Sequence, residues 1–87
     1  MYIVYILECS DRTYYTGITN KLEARLKQHQ LGKASKYTRS RLPIKLVYQE
    51  PALDKSHALR RELEVKSWSR TKKQQLIQTY VGESQNE

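Results

Sequence analysis

Hydrophobic and polar positions change period several times along the chain, and each change marks an element. Tyr2 leads into Ile3-Val4-Tyr5-Ile6-Leu7, a β-branched and aromatic run that reads as a strand. The polar stretch Glu8-Cys9-Ser10-Asp11-Arg12 separates it from Thr13-Tyr14-Tyr15-Thr16 and Gly17, so the two runs predict a β-hairpin. Asn20 with Glu23 three residues on is a capping pattern that predicts a helix start. Within that helix Leu22, Leu26 and His29 recur at helical spacing, Arg25 lies one turn from both Leu22 and His29, and Gly32 marks the end. Leu31 to Leu42 mixes Gly, Ala, Ser and charged residues and predicts a mobile loop. After Pro43, the alternation of Ile44, Leu46 and Tyr48 predicts a third strand. Asp54 or Ser56 caps a second helix to about Trp68, with Ala58, Leu59, Leu63, Val65 and Trp68 as its apolar positions. Thr71 with Gln74 opens a third, which packs through Leu76, Ile77, Tyr80 and Val81.

The expected order is β-β-α-β-α-α. It suits an α+β fold in which a small three-stranded antiparallel sheet is flanked by helices. With 87 residues the chain has material for one domain, expected over residues 1–81, and 82–87 reads as a disordered polar tail. No apolar run approaches the ~18 residues of a membrane span, and the N-terminus lacks the charged start and long apolar stretch of a secretion signal. A lone Cys9 makes no internal disulfide and no zinc-finger site. A cytoplasmic protein without a membrane partner is expected.

Charge adds a location. Sixteen Lys and Arg stand against nine Asp and Glu, and the surplus sits in one segment. Between Lys21 and Lys45 eight basic residues face Glu23 alone, while the other 62 residues balance. This segment holds Lys33, Lys36, Tyr37, Arg39 and Arg41, the expected nucleic-acid-binding residues. Such a concentration is what a phosphate-backbone surface leaves in a sequence, although a solvated basic face would look the same.

Phosphodiester hydrolysis needs an activated nucleophile, a cation against the pentavalent phosphate and usually a divalent metal. Tyr5 and Tyr15 lie on the two strands of the hairpin, ten residues apart, with Arg25 ten residues further on and His29 on the same helix. Glu62, between Ala58 and Val65 on the helical wheel, puts a carboxylate on an apolar side where an unpaired charge is costly. Mg²⁺ takes one or two protein carboxylates and completes its shell with waters and substrate phosphates, so one Glu suffices. Each candidate has a structural alternative. With seven Tyr and no Phe, tyrosine is also the main core aromatic. Arg25 could pair with Glu23, Glu62 with Lys66, and His29 could sit at a helix end for its dipole.

These residues together resemble the GIY-YIG nuclease domain over roughly residues 2 to 75, and the small stand-alone bacterial members in particular. The two signature triplets correspond to Ile3-Val4-Tyr5 and Tyr15-Thr16-Gly17. Arg25 stands where the family keeps a catalytic Arg, His29 at a position filled by His or Tyr, and Glu62 where the family has its metal-binding Glu. The chain departs from the pattern at Ile3 and Thr16, at Ile18 in place of a frequent Lys, and in lacking a Pro-x-Tyr-Asn ending. The missing cation is expected from Lys33, Lys36 or Arg39.

The resemblance implies a metal-dependent DNA endonuclease, structure-selective in repair or recombination, using one Mg²⁺ or Mn²⁺ held by Glu62. Tyr5 or Tyr15 would orient or deprotonate water with His29 as neighbour, and Arg25 would hold non-bridging oxygens. Nucleic acid is the implied partner, DNA ahead of RNA, with a further protein partner possible for targeting. The alternative is a non-catalytic nucleic-acid-binding module that keeps the fold and basic surface. Glu64, two positions from Glu62, faces elsewhere and serves as a control.

Overall fold

The computed structural model describes residues 1–85. The apolar run at the N-terminus forms β1 (Tyr2–Glu8), the hairpin continues into β2 (Tyr14–Thr19), and β3 spans Lys45–Ala52. All pairings are antiparallel and the sheet order is β2-β1-β3. The central position of β1 explains its composition. Val4 to Leu7 are all buried, because both faces of a middle strand are covered.

Helices α1 (Leu22–Gln30) and α2 (Lys36–Arg39) lie toward one face, and α3 (Lys55–Lys66) and α4 (Arg70–Gln85) cover the other. On the first face Tyr5, Leu7, Cys9 and Ile44 are buried against Leu22 and Leu26 of α1. On the second, Ile6 and Tyr48 pack with Val65, Ile77 and Trp68, while Val4 and Ala52 pack with Ala58. Arg61 anchors α3 to β3 through two contacts to the Glu50 carboxylate, at 3.1 and 3.2 Å, and Tyr48 donates to the same carboxylate at 2.6 Å. These bonds fix the rotation of the helix that carries Glu62. Among the described residues no helix is long and apolar enough to cross a membrane.

The expected α+β class and order hold, with local differences. Asn20 does not cap α1: β2 stays paired through Thr19, so the helix starts later, with Lys21 at its cap position and its N–H bonded to Thr19 Oγ1 at 3.0 Å. Gly32 does close α1, at φ +75°, where a side chain would be strained. The stretch expected as a loop contains α2, capped by Ser35, whose hydroxyl accepts from the Tyr37 N–H at 3.1 Å. The alternation in β3 is broken by a register shift between Ile6 and Leu7 that leaves Val47 as an extra residue, so Leu46 and Tyr48 face opposite sides. Leu59 and Leu63 are exposed because α3 buries only the Ala58–Val65 stripe. Asp54 caps α3 through the His57 N–H at 2.8 Å. The last helix opens at Ser69, which bonds the Lys72 N–H, rather than at Thr71. The segment 82–87, read as a tail, overlaps the end of α4 as far as Gln85, and residues 86 and 87 lie outside the described residues.

Candidate active site

The site begins with a missing side chain. Tyr5 pairs across the sheet with Gly17, and its ring lies over that residue so closely that a Cβ there would sit 2.6 Å from the Tyr5 hydroxyl oxygen. Only glycine leaves this space. Tyr15, two residues earlier on β2, lies on the same face, with its ring centre 6.5 Å from that of Tyr5. His29 enters from the last turn of α1, continuing the stripe of Leu22 and Leu26, and is 1% exposed. Its ring meets Tyr5 and Tyr15 edge-on at 5.8 and 5.2 Å.

Hydrogen bonds then set a direction. Thr38 donates to the Ser35 carbonyl at 3.4 Å, so its oxygen accepts from His29 Nδ1–H at 2.9 Å. That tautomer leaves Nε2 as an acceptor, and the Tyr5 hydroxyl donates to it at 2.9 Å. Burial, aided by the Arg25 charge, lowers the His29 pKa and keeps the imidazole neutral. Burial raises the Tyr5 pKa, the Tyr15 phenol and the Glu62 carboxylate add to this, and Arg25 opposes it.

Arg25 itself is exposed, in a depression of about 290 Å³ with Lys21 and Gln28. The Glu62 side chain is 15% exposed and 3.6 Å from Lys66, the pairing that the alternative reading foresaw. Glu64 points elsewhere, paired with Arg61. Lys33, Lys36 and Arg39 line a separate open depression of about 410 Å³ with Ser35. Tyr37 and Arg41, expected with them at the nucleic-acid surface, are partly exposed and also pack against neighbouring side chains. Tyr37 stacks on Tyr15 at 6.2 Å, and the Arg41 guanidinium lies 3.9 Å from the Tyr37 ring centre. Arg41 is also bonded to Asp11 at 3.0 Å and to the Tyr37 carbonyl at 2.9 Å. Both buttress Tyr15.

Sequence reasoning gave Thr38 no role, although it is fully buried and holds the far nitrogen of His29. The signal was faint: a threonine three residues after a capping serine in a stretch that otherwise reads as loop.

A family model described as the GIY-YIG catalytic domain matches residues 1–78. The chain belongs to the GIY-YIG family. The domain is similar to a UPF0213 protein of Staphylococcus haemolyticus, 49% identical over 86% of this chain and 92% of that protein. A UPF0213 protein of Natronomonas pharaonis is 47% identical over 91% of this chain and 93% of its own length. The solution NMR structure of the UPF0213 protein BH0048 from Bacillus halodurans matches with a TM-score of 0.59 and 48% identity, covering 91% of this chain and 85% of that one.

Among the described residues no three His, Cys, Asp or Glu side chains gather as a metal cage. A lone, largely buried carboxylate fits a different kind of ion. Mg²⁺ and Mn²⁺ accept a single protein carboxylate when waters and phosphate oxygens fill the remaining positions. In this GIY-YIG domain Glu62 is a single, largely buried carboxylate of that kind, with the Lys66 ammonium 3.6 Å away.

Proposed function

We propose that the protein is a divalent-metal-dependent endonuclease that hydrolyses DNA phosphodiester bonds and selects its substrate by DNA structure, in repair or recombination in the cytoplasm. The observation that carries this reading is the buried chain from Tyr5 through His29 to Thr38, in which a neutral imidazole accepts a hydrogen bond from the Tyr5 hydroxyl. Burial keeps both Tyr5 and His29 uncharged at rest, so a proton taken from water by the Tyr5 oxygen has an outlet only if the tyrosine's own proton moves to Nε2. Tyr15, held between Tyr37 and His29, orients the water. Arg25 grips the non-bridging oxygens through its planar fork of donors, a geometry a lysine would not reproduce. Glu62 holds Mg²⁺ or Mn²⁺, which when bound supplies Lewis-acid neutralisation at the leaving oxygen. The charge missing from the Ile18 position comes from Lys33, Lys36 or Arg39.

The test is incubation of the purified chain with end-labelled single-stranded, duplex, nicked, flap and four-way-junction DNA, and matched RNA, in Mg²⁺, Mn²⁺ or EDTA. Cleavage is expected with metal, absent in EDTA, lost in Arg25→Ala and Glu62→Ala, and retained in Glu64→Ala. Replacing Lys33, Lys36 and Arg39 together by Ala is expected to abolish it as well. An active Glu62→Ala variant would overturn the metal assignment. Salt-sensitive binding with no product in any metal would identify a non-catalytic binding module instead.

A further inference from the structure

Beside the site just described, the open edge of the sheet carries a second feature. Tyr14 is the immediate neighbour of Tyr15 on β2 but points to the other face, where a groove of about 410 Å³ runs between it and α4. The α4 wall consists of Thr71, Gln74, Gln75 and Gln78, all exposed, with Ile77 at the floor. The spacing of these four puts them on one helix face. Among the described residues no carboxylate lines the groove, and the first turn of α4 has no acidic residue.

Arg70 adjoins the groove at Tyr14. Its guanidinium lies 4.6 Å from the Tyr14 ring centre and donates to the Arg12 carbonyl at 2.6 Å. One of five N–H groups is used there, and Arg12, whose carbonyl accepts it, is itself exposed. Exposed helix positions commonly carry alternating charge. A row of neutral amides with arginine at its end presents donors and acceptors together and repels no phosphate. β2 is an edge strand, and Tyr14 lies three residues from Gly17, about 10 Å along it at the usual strand rise. A DNA duplex that followed this edge would meet the groove within about three base pairs of the Tyr5 hydroxyl.

We propose that the Tyr14–α4 groove is a DNA-binding surface for the segment flanking the scissile phosphate, with Arg70 and Arg12 on the backbone and Gln74, Gln75 and Gln78 hydrogen-bonding sugar or base edges. The inference rests on the nuclease reading for the orientation of the DNA, but not for the binding itself. It also makes the substrate span both faces of the sheet, from the Lys33–Arg39 depression to α4.

Binding is measured by fluorescence anisotropy over a salt series, with a labelled DNA duplex, in the Glu62→Ala background so that cleavage plays no part. Arg70→Ala is expected to lower the slope of log K against log salt by about 0.9, one phosphate contact, and Lys55→Ala at the far end of α3 is expected to leave it unchanged. Gln74→Ala, Gln75→Ala and Gln78→Ala combined should weaken binding roughly tenfold, and alanine favours the helix, so the fold is retained. The single Gln75→Glu variant should weaken it as well, by placing a charge against phosphate. Wild-type affinity in the triple variant and in Gln75→Glu overturns the proposal, even if the parent protein cleaves DNA. Weakened binding in both supports it, even if the parent never cleaves.

Discussion

Replacing Thr38 by Val tests whether the buried hydrogen-bond chain sets the state of His29. The two side chains have nearly the same shape, so no cavity is created. Ser35 keeps a partner, because its carbonyl also accepts from the Arg39 N–H at 3.0 Å. The loss falls on His29 Nδ1, which is left buried without its 2.9 Å acceptor. An unsatisfied buried polar group costs about 1–3 kcal/mol. At roughly 4–8 °C per kcal/mol for a domain of this size, a cost near 2 kcal/mol lowers Tm by roughly 8–16 °C. Thr38→Ser also loses stability, since a buried methyl is worth about 1 kcal/mol, so the melting temperature alone does not separate the two. The tautomer does. Long-range ¹H–¹⁵N spectra should show His29 protonated at Nδ1 in the wild type and in Thr38→Ser, and shifted toward the Nε2–H form in Thr38→Val. If Thr38→Val melted within about 2 °C of wild type with His29 still protonated at Nδ1, the assigned direction of the chain would be wrong.

Gly17→Ala places a Cβ 2.6 Å from the Tyr5 hydroxyl oxygen and 2.7 Å from its ring carbon, against a ring that is 2% exposed. Overpacking of this kind costs about 1–3 kcal/mol and should lower the urea midpoint without changing the slope; an unchanged midpoint would refute the close approach. His29 has a folded pKa below its ordinary 6.5, so the unfolded chain binds the proton more readily and acid favours unfolding. Its part of the stability is complete above pH 6.5 and falls as the pH drops below that value toward the lowered folded pKa. Melting temperatures between pH 7.5 and 5 should therefore decline in the wild type and be flatter in His29→Gln; equal slopes would show that the imidazole is not buried neutral.

The elements expected from the chain were those whose causes are local. The strand run at Ile3–Leu7, the Asp54 cap of α3 and Gly32 at the end of α1 depend on residues within one turn or one pleat of each other. Short-range sterics and capping bonds decide them, so their signals survive in a linear reading. The triplets, Arg25, His29 and Glu62 were legible as types at spacings, although no spacing says which of them touch.

Longer contacts decided the rest. β2 stays paired to Thr19 and so overrides the Asn20 cap, and the extra residue at Val47 lets β3 send Leu46 and Tyr48 to opposite faces. Arg41 is held at the surface by an ion pair with Asp11, thirty residues away. The bond between Tyr5 and His29 spans twenty-four residues, and it forms only because Gly17, on a third element, leaves room for the ring. Thr38 matters because α2 brings it beneath the imidazole. The amino-acid order by itself determined which groups the protein has to work with and the local elements that carry them. The packing of both helical layers on one sheet decided which groups are desolvated, which donate and which are left free, because these properties depend on neighbours that the chain order does not place side by side.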